Sequence, residues 1–202
     1  MRKLFLFIVC FILFGVGIKA QRFPQAVLPG DYPDPSILRD GKNYYMTHSP
    51  FYYAPGFLIW HSTDLIHWEP VCRALPEYEG SAMAPDLLKY QGRYYIYYPT
   101  STGENFVIYA DNIRGPWSKP VKLDVKGIDP GHVVGEDGKR YLFTNNGWIT
   151  PLSDDGLKVT GKSRKVYDGW EYPANWVTEG KDMYLESPKL LYKDGYYYMM
   201  SA

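Results

Sequence analysis

Asp40-Gly41-Lys42 followed by Tyr44-Tyr45-Met46, Gln91-Gly92-Arg93 by Tyr94-Tyr95-Ile96, Asp137-Gly138-Lys139 by Tyr141-Leu142-Phe143, and Asp194-Gly195 by Tyr196-Tyr197-Tyr198 are four copies of one signal. Each sets a glycine, which accepts positive φ without steric cost, between runs that favour extended backbone, and so predicts a β-hairpin. The glycines stand 51, 46 and 57 residues apart. That spacing matches four short strands with their loops, which is one blade of a β-propeller. The outer half of the unit repeats too: Phe57-Leu58-Ile59-Trp60 leads to Trp68 and Val71, and Phe106-Val107-Ile108-Tyr109 leads to Trp117 and Val121. Trp60, Trp68 and Trp117 therefore read as blade core. Between the third and fourth hairpins the pattern weakens into a loop with Trp170, Tyr172, Pro173 and Trp176, expected to cover one face. Evenly spaced strands would also suit a solenoid or a sandwich, but sustained helical periodicity is absent, which argues against α and α/β folds.

Composition agrees with an all-β chain. Aromatic residues make up 17% of the sequence and 20 of them are Tyr, among many Gly and Pro. Flat rings with polar tips also suit sugars, stacking on the apolar faces of the rings while taking hydroxyl hydrogen bonds. Arg2 and Lys3 precede an apolar run, Leu4 to Ile18, of about 15 residues, shorter than the roughly 20 a spanning helix needs. Residues 1–20 are read as a signal peptide and 21–202 as one incomplete β-propeller domain, secreted or periplasmic, with no membrane span once the leader is removed. Cys10 leaves with the leader, so Cys72 remains without an internal disulfide partner and reads as a small buried side chain. Removing Arg2, Lys3 and Lys19 takes the 22 basic residues to 19 against 22 acidic ones. With no basic run, nucleic acid is not an expected partner.

The strand entering each hairpin lines the channel of a propeller, and these strands begin alike: Asp34-Pro35-Ser36-Ile37, Ala84-Pro85-Asp86-Leu87, Asp129-Pro130-Gly131-His132 and Glu186-Ser187-Pro188-Lys189. Equivalent positions converge at one mouth of the axis, so Asp34, Asp129 and Glu186 are expected to meet. Inverting glycoside cleavage needs one protonated acid and one ionised base roughly 6.5–9.5 Å apart. A third carboxylate helps keep the donor loaded near neutral pH. Asp-Pro also marks ordinary turns at strand starts; matched positions in a repeat favour the catalytic reading.

The segment Gly30-Asp31-Tyr32-Pro33-Asp34-Pro35-Ser36-Ile37, the Ile128-Asp129-Pro130 step, Glu186-Ser187-Pro188-Lys189-Leu190 and the Ala84-Pro85-Asp86-Leu87 strand resemble glycoside hydrolase family 43. The resemblance covers nearly the whole chain after the leader. It implies a five-bladed β-propeller, of which about three and a half blades are present here, and inverting hydrolysis of arabinofuranosides or xylosides in plant polysaccharides or oligosaccharides. It makes Asp34 the general base, Glu186 the general acid and Asp129 the residue that tunes and orients Glu186. No cofactor is required. A structural calcium would belong to later blades, and Ala202 is expected to be a truncation point, so that the chain alone could lack activity. Two other readings stay open: a non-catalytic carbohydrate-binding propeller and a retaining fructosidase-type hydrolase.

Phe51 and Tyr52, with neighbouring Tyr53, are candidates for a subsite wall, and Trp148 for a second platform. His132, three residues after Asp129, could approach sugar or simply bond within the core. His48, His61 and His67 lack metal-ligand spacing, so no metal site is expected.

Overall fold

In the computed structural model the described residues are 26–78, 80–168 and 185–201. The expected leader and the loop with Trp170, Tyr172, Pro173 and Trp176 lie outside them. Among the described residues fourteen strands form three four-stranded antiparallel sheets and a hairpin. Blade one is β1 (Ser36–Asp40), β2 (Asn43–Thr47), β3 (Gly56–Ser62) and β4 (Glu69–Leu75). Blade two is β5 (Asp86–Tyr90), β6 (Arg93–Pro99), β7 (Asn105–Ala110) and β8 (Val121–Leu123). Blade three is β9 (Gly131–Val134), β10 (Arg140–Thr144), β11 (Trp148–Pro151) and β12 (Arg164–Lys165). Strands β13 (Lys189–Lys193) and β14 (Tyr196–Met200) are the first two of a fourth unit. The first strands stand side by side, β1 against β5, β5 against β9 and β9 against β13, the arrangement around a propeller axis.

All four expected hairpins form. Gln91-Gly92 and Asp194-Gly195 have positive φ at both positions, the turn whose twist matches the flanking strands. Strand β6 explains why its sequence is almost unbroken aromatic. Tyr94, Ile96 and Tyr98 pack with Phe57, Ile59 and Ala74 of blade one, whereas Tyr95 and Tyr97 pack with Leu142 and Leu152 of blade three. With both sheet faces buried, the usual alternation of apolar and polar residues disappears.

The repeated tryptophans differ in role. Trp117 borders the core between blades one and two, and its indole N–H donates to Ile113 O at 3.2 Å. Trp68 is only half-buried and makes the corresponding bond to Leu65 O at 3.2 Å, pinning the turn before β4 rather than filling the core. Trp60 is buried on the other face of blade one, edge-on to Tyr32. Cys72 is half-buried against the first core, its Sγ 3.3 Å from Ile113 O, and burial pushes the thiol up out of the reactive range. At the two ends of the row apolar groups face solvent, Ile37 on blade one and Leu191, Tyr192, Tyr196 and Met200 on the last hairpin. No helix among the described residues is long and apolar enough to cross a membrane.

Candidate active site

Asp34, Ala84, Asp129 and Ser187 each precede a proline, and each takes a left-handed backbone, with φ of 52, 41, 58 and 49°. Such a φ costs a residue with a Cβ roughly 1–2 kcal/mol, so its recurrence at four equivalent points marks a shared structural step. It swings the chain into the first strand of each unit, always at the end opposite the hairpin glycines. The matched positions are therefore Asp34, Ala84, Asp129 and Ser187. Glu186 does not occupy the matched position, as the sequence suggested; it enters one residue earlier, and Ser187 takes the left-handed corner.

Asp129 is the buried member, 8% exposed. Burial holds its carboxyl above the usual range; the Ser187 N–H, donating to Oδ2 at 3.2 Å, opposes the rise, the charges of Glu186 and Asp34 add to it, and Lys189 again opposes. Asp34 and Glu186 are both exposed. Asp34 Oδ2 accepts a hydrogen bond from Ser49 Oγ. The charges of Asp34 from blade one and Glu186 from unit four thus both reach Asp129 of blade three at one mouth of the axis.

Bonds between neighbouring blades fix this geometry. Ser36 Oγ accepts the Leu87 N–H at 2.9 Å, and Asp86 Oδ2, at the same position one blade on, accepts the His132 N–H at 2.8 Å. The third member is Gly131, which has no side chain to offer; a Cβ there would sit 1.8 Å from Pro188 O. Lys189 closes the gap from the other side, its Nζ donating to Asp86 Oδ1 at 2.8 Å and Pro130 O at 2.9 Å.

Phe51 lies on blade one, beside a cavity of about 380 Å³ that none of the three carboxylates lines. It follows β2 at the strand end next to Asp34 and lines that cavity with Asp31, His48, Tyr53 and Arg73. Tyr52 is largely exposed beside it and does not line that cavity. Trp148 opens β11 at the same end, with the Lys126 ammonium 3.6 Å from its ring centroid, so one face is already covered. His132 is placed differently from the sugar contact considered for it. Its ring stacks on Tyr97 between blades two and three, and its Nε2 accepts from Arg140 Nε at 2.9 Å. Burial first, then the Arg140 charge, lowers its pKa to about 4, so the ring is neutral and its acceptor is in use. Arg140 itself, 1% exposed, was not singled out from the sequence. Its guanidinium lies over Tyr90 and Tyr95 and donates to Tyr97 Oη at 3.1 Å. A larger cavity, about 630 Å³, lies between the first strands of units two to four, but none of the three carboxylates lines it. Among the described residues no group of three or more His, Cys, Asp or Glu side chains could hold a metal ion.

The family model for glycosyl hydrolases family 43 matches residues 23–202. The chain belongs to this family. It is 33% identical over 202 residues to a xylosidase/arabinosidase of Butyrivibrio fibrisolvens, covering 87% of this chain and 38% of that protein. It is 31% identical over 157 residues to a non-reducing end α-L-arabinofuranosidase of Bacteroides ovatus, covering 70% of this chain and 30% of that one. Among solved structures, the family 43 protein BlXynB of Bacillus licheniformis superposes with a TM-score of 0.74 at 34% identity, covering 88% of this chain and 37% of that one. The family 43 chain thus spans less than two fifths of the curated relative from Butyrivibrio.

Proposed function

We propose that this family 43 chain carries the acid and base of an inverting glycosidase acting on xylose- or arabinose-containing plant polysaccharides or oligosaccharides. The observation that carries the reading is the buried Asp129 carboxyl, which feels both Asp34 and Glu186. Asp34, exposed at the mouth, takes a proton from water as it attacks the anomeric carbon. Glu186, from the facing unit, gives its proton to the departing glycosidic oxygen. Asp129 is tied to the backbone beside Glu186 by the Ser187 N–H, and the charge of Glu186 adds to the rise that burial gives the Asp129 carboxyl. Phe51, Tyr52 and Trp148 would form the sugar-facing wall, while His132 is kept for the scaffold. The relatives named as xylosidases and arabinofuranosidases support the pentoside range. The basic residues and apolar run at the N-terminus support export to the periplasm or medium.

The test is product stereochemistry with the full-length polypeptide, followed by NMR of the anomeric proton on aryl xyloside and arabinofuranoside substrates. Inverted product, lost on Asp34→Ala, is expected. Net retention would point to a covalent intermediate, and sugar binding without turnover would leave a lectin-like propeller.

A further inference from the structure

We propose that Ser49 is a positioning residue that holds Asp34 by one carboxylate oxygen and leaves the other for the nucleophilic water; this rests on Asp34 being the base. Ser49 is 3% exposed and follows the last residues of β2. Every polar group it carries is used. Its N–H donates to Pro33 O at 2.9 Å, its carbonyl accepts from His48 Nδ1 at 3.2 Å, and its hydroxyl oxygen accepts the Ala84 N–H at 2.6 Å. A hydroxyl has one proton to give. With a backbone N–H already on its oxygen, that proton goes to Asp34 Oδ2.

The consequence is geometric. Asp34 lies exposed on a left-handed corner, where a free carboxylate would rotate. Ser49 ties it to two places at once: the preceding residue of its own corner, through Pro33, and the equivalent left-handed corner of the next blade, through Ala84. Oδ2 is thereby fixed against blade two and Oδ1 is left to accept from water. A hydroxyl anchored in this way orders the attack without touching the sugar, so it should act on turnover and not on substrate affinity.

The experiment compares Ser49→Ala, Ser49→Cys and Ser49→Thr in the full-length polypeptide, beside Asp34→Ala, on an aryl xyloside and an aryl arabinofuranoside. Ser49→Ala and Ser49→Cys, which lose the strong hydroxyl donor, are expected to lower kcat about 10- to 100-fold with KM and melting temperature nearly unchanged. Ser49→Thr, which keeps the hydroxyl, is expected to recover most of kcat. The cysteine variant keeps the side chain's size, so the comparison survives if alanine unfolds the loop. Wild-type kcat in both Ser49→Ala and Ser49→Cys, with Asp34→Ala inactive, would overturn the role of Ser49 and leave Asp34 standing. Loss of kcat with a matching rise in KM and a lowered melting temperature would also overturn it, in favour of a scaffold role. Turnover by Asp34→Ala would instead remove the assignment on which the proposal rests.

Discussion

The backbone N–H of Ser187 donates to Asp129 Oδ2 at 3.2 Å, so the residue next to the proposed acid is tied to the carboxylate buried beneath it. Asp129 and Glu186 are 57 residues apart in sequence, yet any movement of one blade's corner moves the other. The bond ties the corner that follows Glu186 to the buried carboxyl that the Glu186 charge reaches.

Asp129→Asn should separate stability from function. The carboxyl of Asp129 is held above its ordinary value of 3.8 by burial, and by Glu186 and Asp34. The unfolded chain therefore ionises this group first, and raising the pH above about 3.8 lowers stability until the folded group has ionised as well. Above that window the loss persists. The asparagine variant escapes it and can still accept from Ser187. Its melting temperature relative to wild type is expected to be higher at pH 7 than at pH 3.5, while kcat falls about 10²- to 10³-fold. A melting-temperature difference independent of pH would count against Asp129 as the strained group.

Glu186→Gln should be sensitive to the leaving group. An alkoxide leaving group needs a proton in the transition state, whereas a dinitrophenolate departs without one. The variant is expected to lose about 10²- to 10³-fold in kcat/KM on a xylo-oligosaccharide and less than about tenfold on a dinitrophenyl glycoside. Equal losses on both, measured side by side, would mean that Glu186 does something other than donate the proton.

The pair His132 and Arg140 makes a prediction about acid stability. Burial and the guanidinium lower the imidazole from 6.5 to about 4. A lowered folded pKa means the unfolded state binds the proton first, so the contribution is whole above pH 6.5 and is lost as the pH falls toward 4. A fall from 6.5 to about 4 corresponds to on the order of 3 kcal/mol. Unfolding by urea between pH 7 and 4 should show this loss, and His132→Gln, whose amide oxygen can still accept from Arg140, should flatten the curve. Asp129 slopes the other way over part of the same range, so the difference between the two proteins is the quantity to read.

These residues also show how far the sequence could be read. The hairpin glycines were legible because a two-residue turn with positive φ leaves few alternatives, and Asp34 and Asp129 because proline marks the corner they share. Glu186 was named for its chemistry, but Pro188 places Ser187, not Glu186, at the position equivalent to Asp34 and Asp129, a register that the proline itself carries in the sequence. Arg140 follows Asp137-Gly138-Lys139 and reads as one more solvated charge at a turn. Its burial depends on Tyr90, Tyr95, Tyr97 and His132 arriving from two blades, and no local pattern encodes that meeting. Ser49 was hidden for the same reason: its partners Pro33 and Ala84 come from separate corners, and a serine after a strand has no signature of its own.

Gly131→Ala tests whether the fourth unit is seated by backbone contact. Its neighbours in register, Ser36 and Asp86, reach the next blade through side chains, but at Gly131 the next unit comes so close that a Cβ would lie 1.8 Å from Pro188 O. Backbone cannot step aside as a flexible side chain can, so the added methyl must push the 185–201 segment outward, carrying Glu186 away from Asp34 and breaking the Lys189 bonds to Asp86 and Pro130. The cores between blades one and two and between two and three contain none of these atoms. Hydrogen exchange should therefore show lost protection confined to β13 and β14 with β6 and β10 unchanged, together with a fall in kcat of at least about 10²-fold. Uniform loss of protection across all strands would mean that the last hairpin is an inseparable part of one cooperative unit, and wild-type turnover would mean that Glu186 does not depend on this contact.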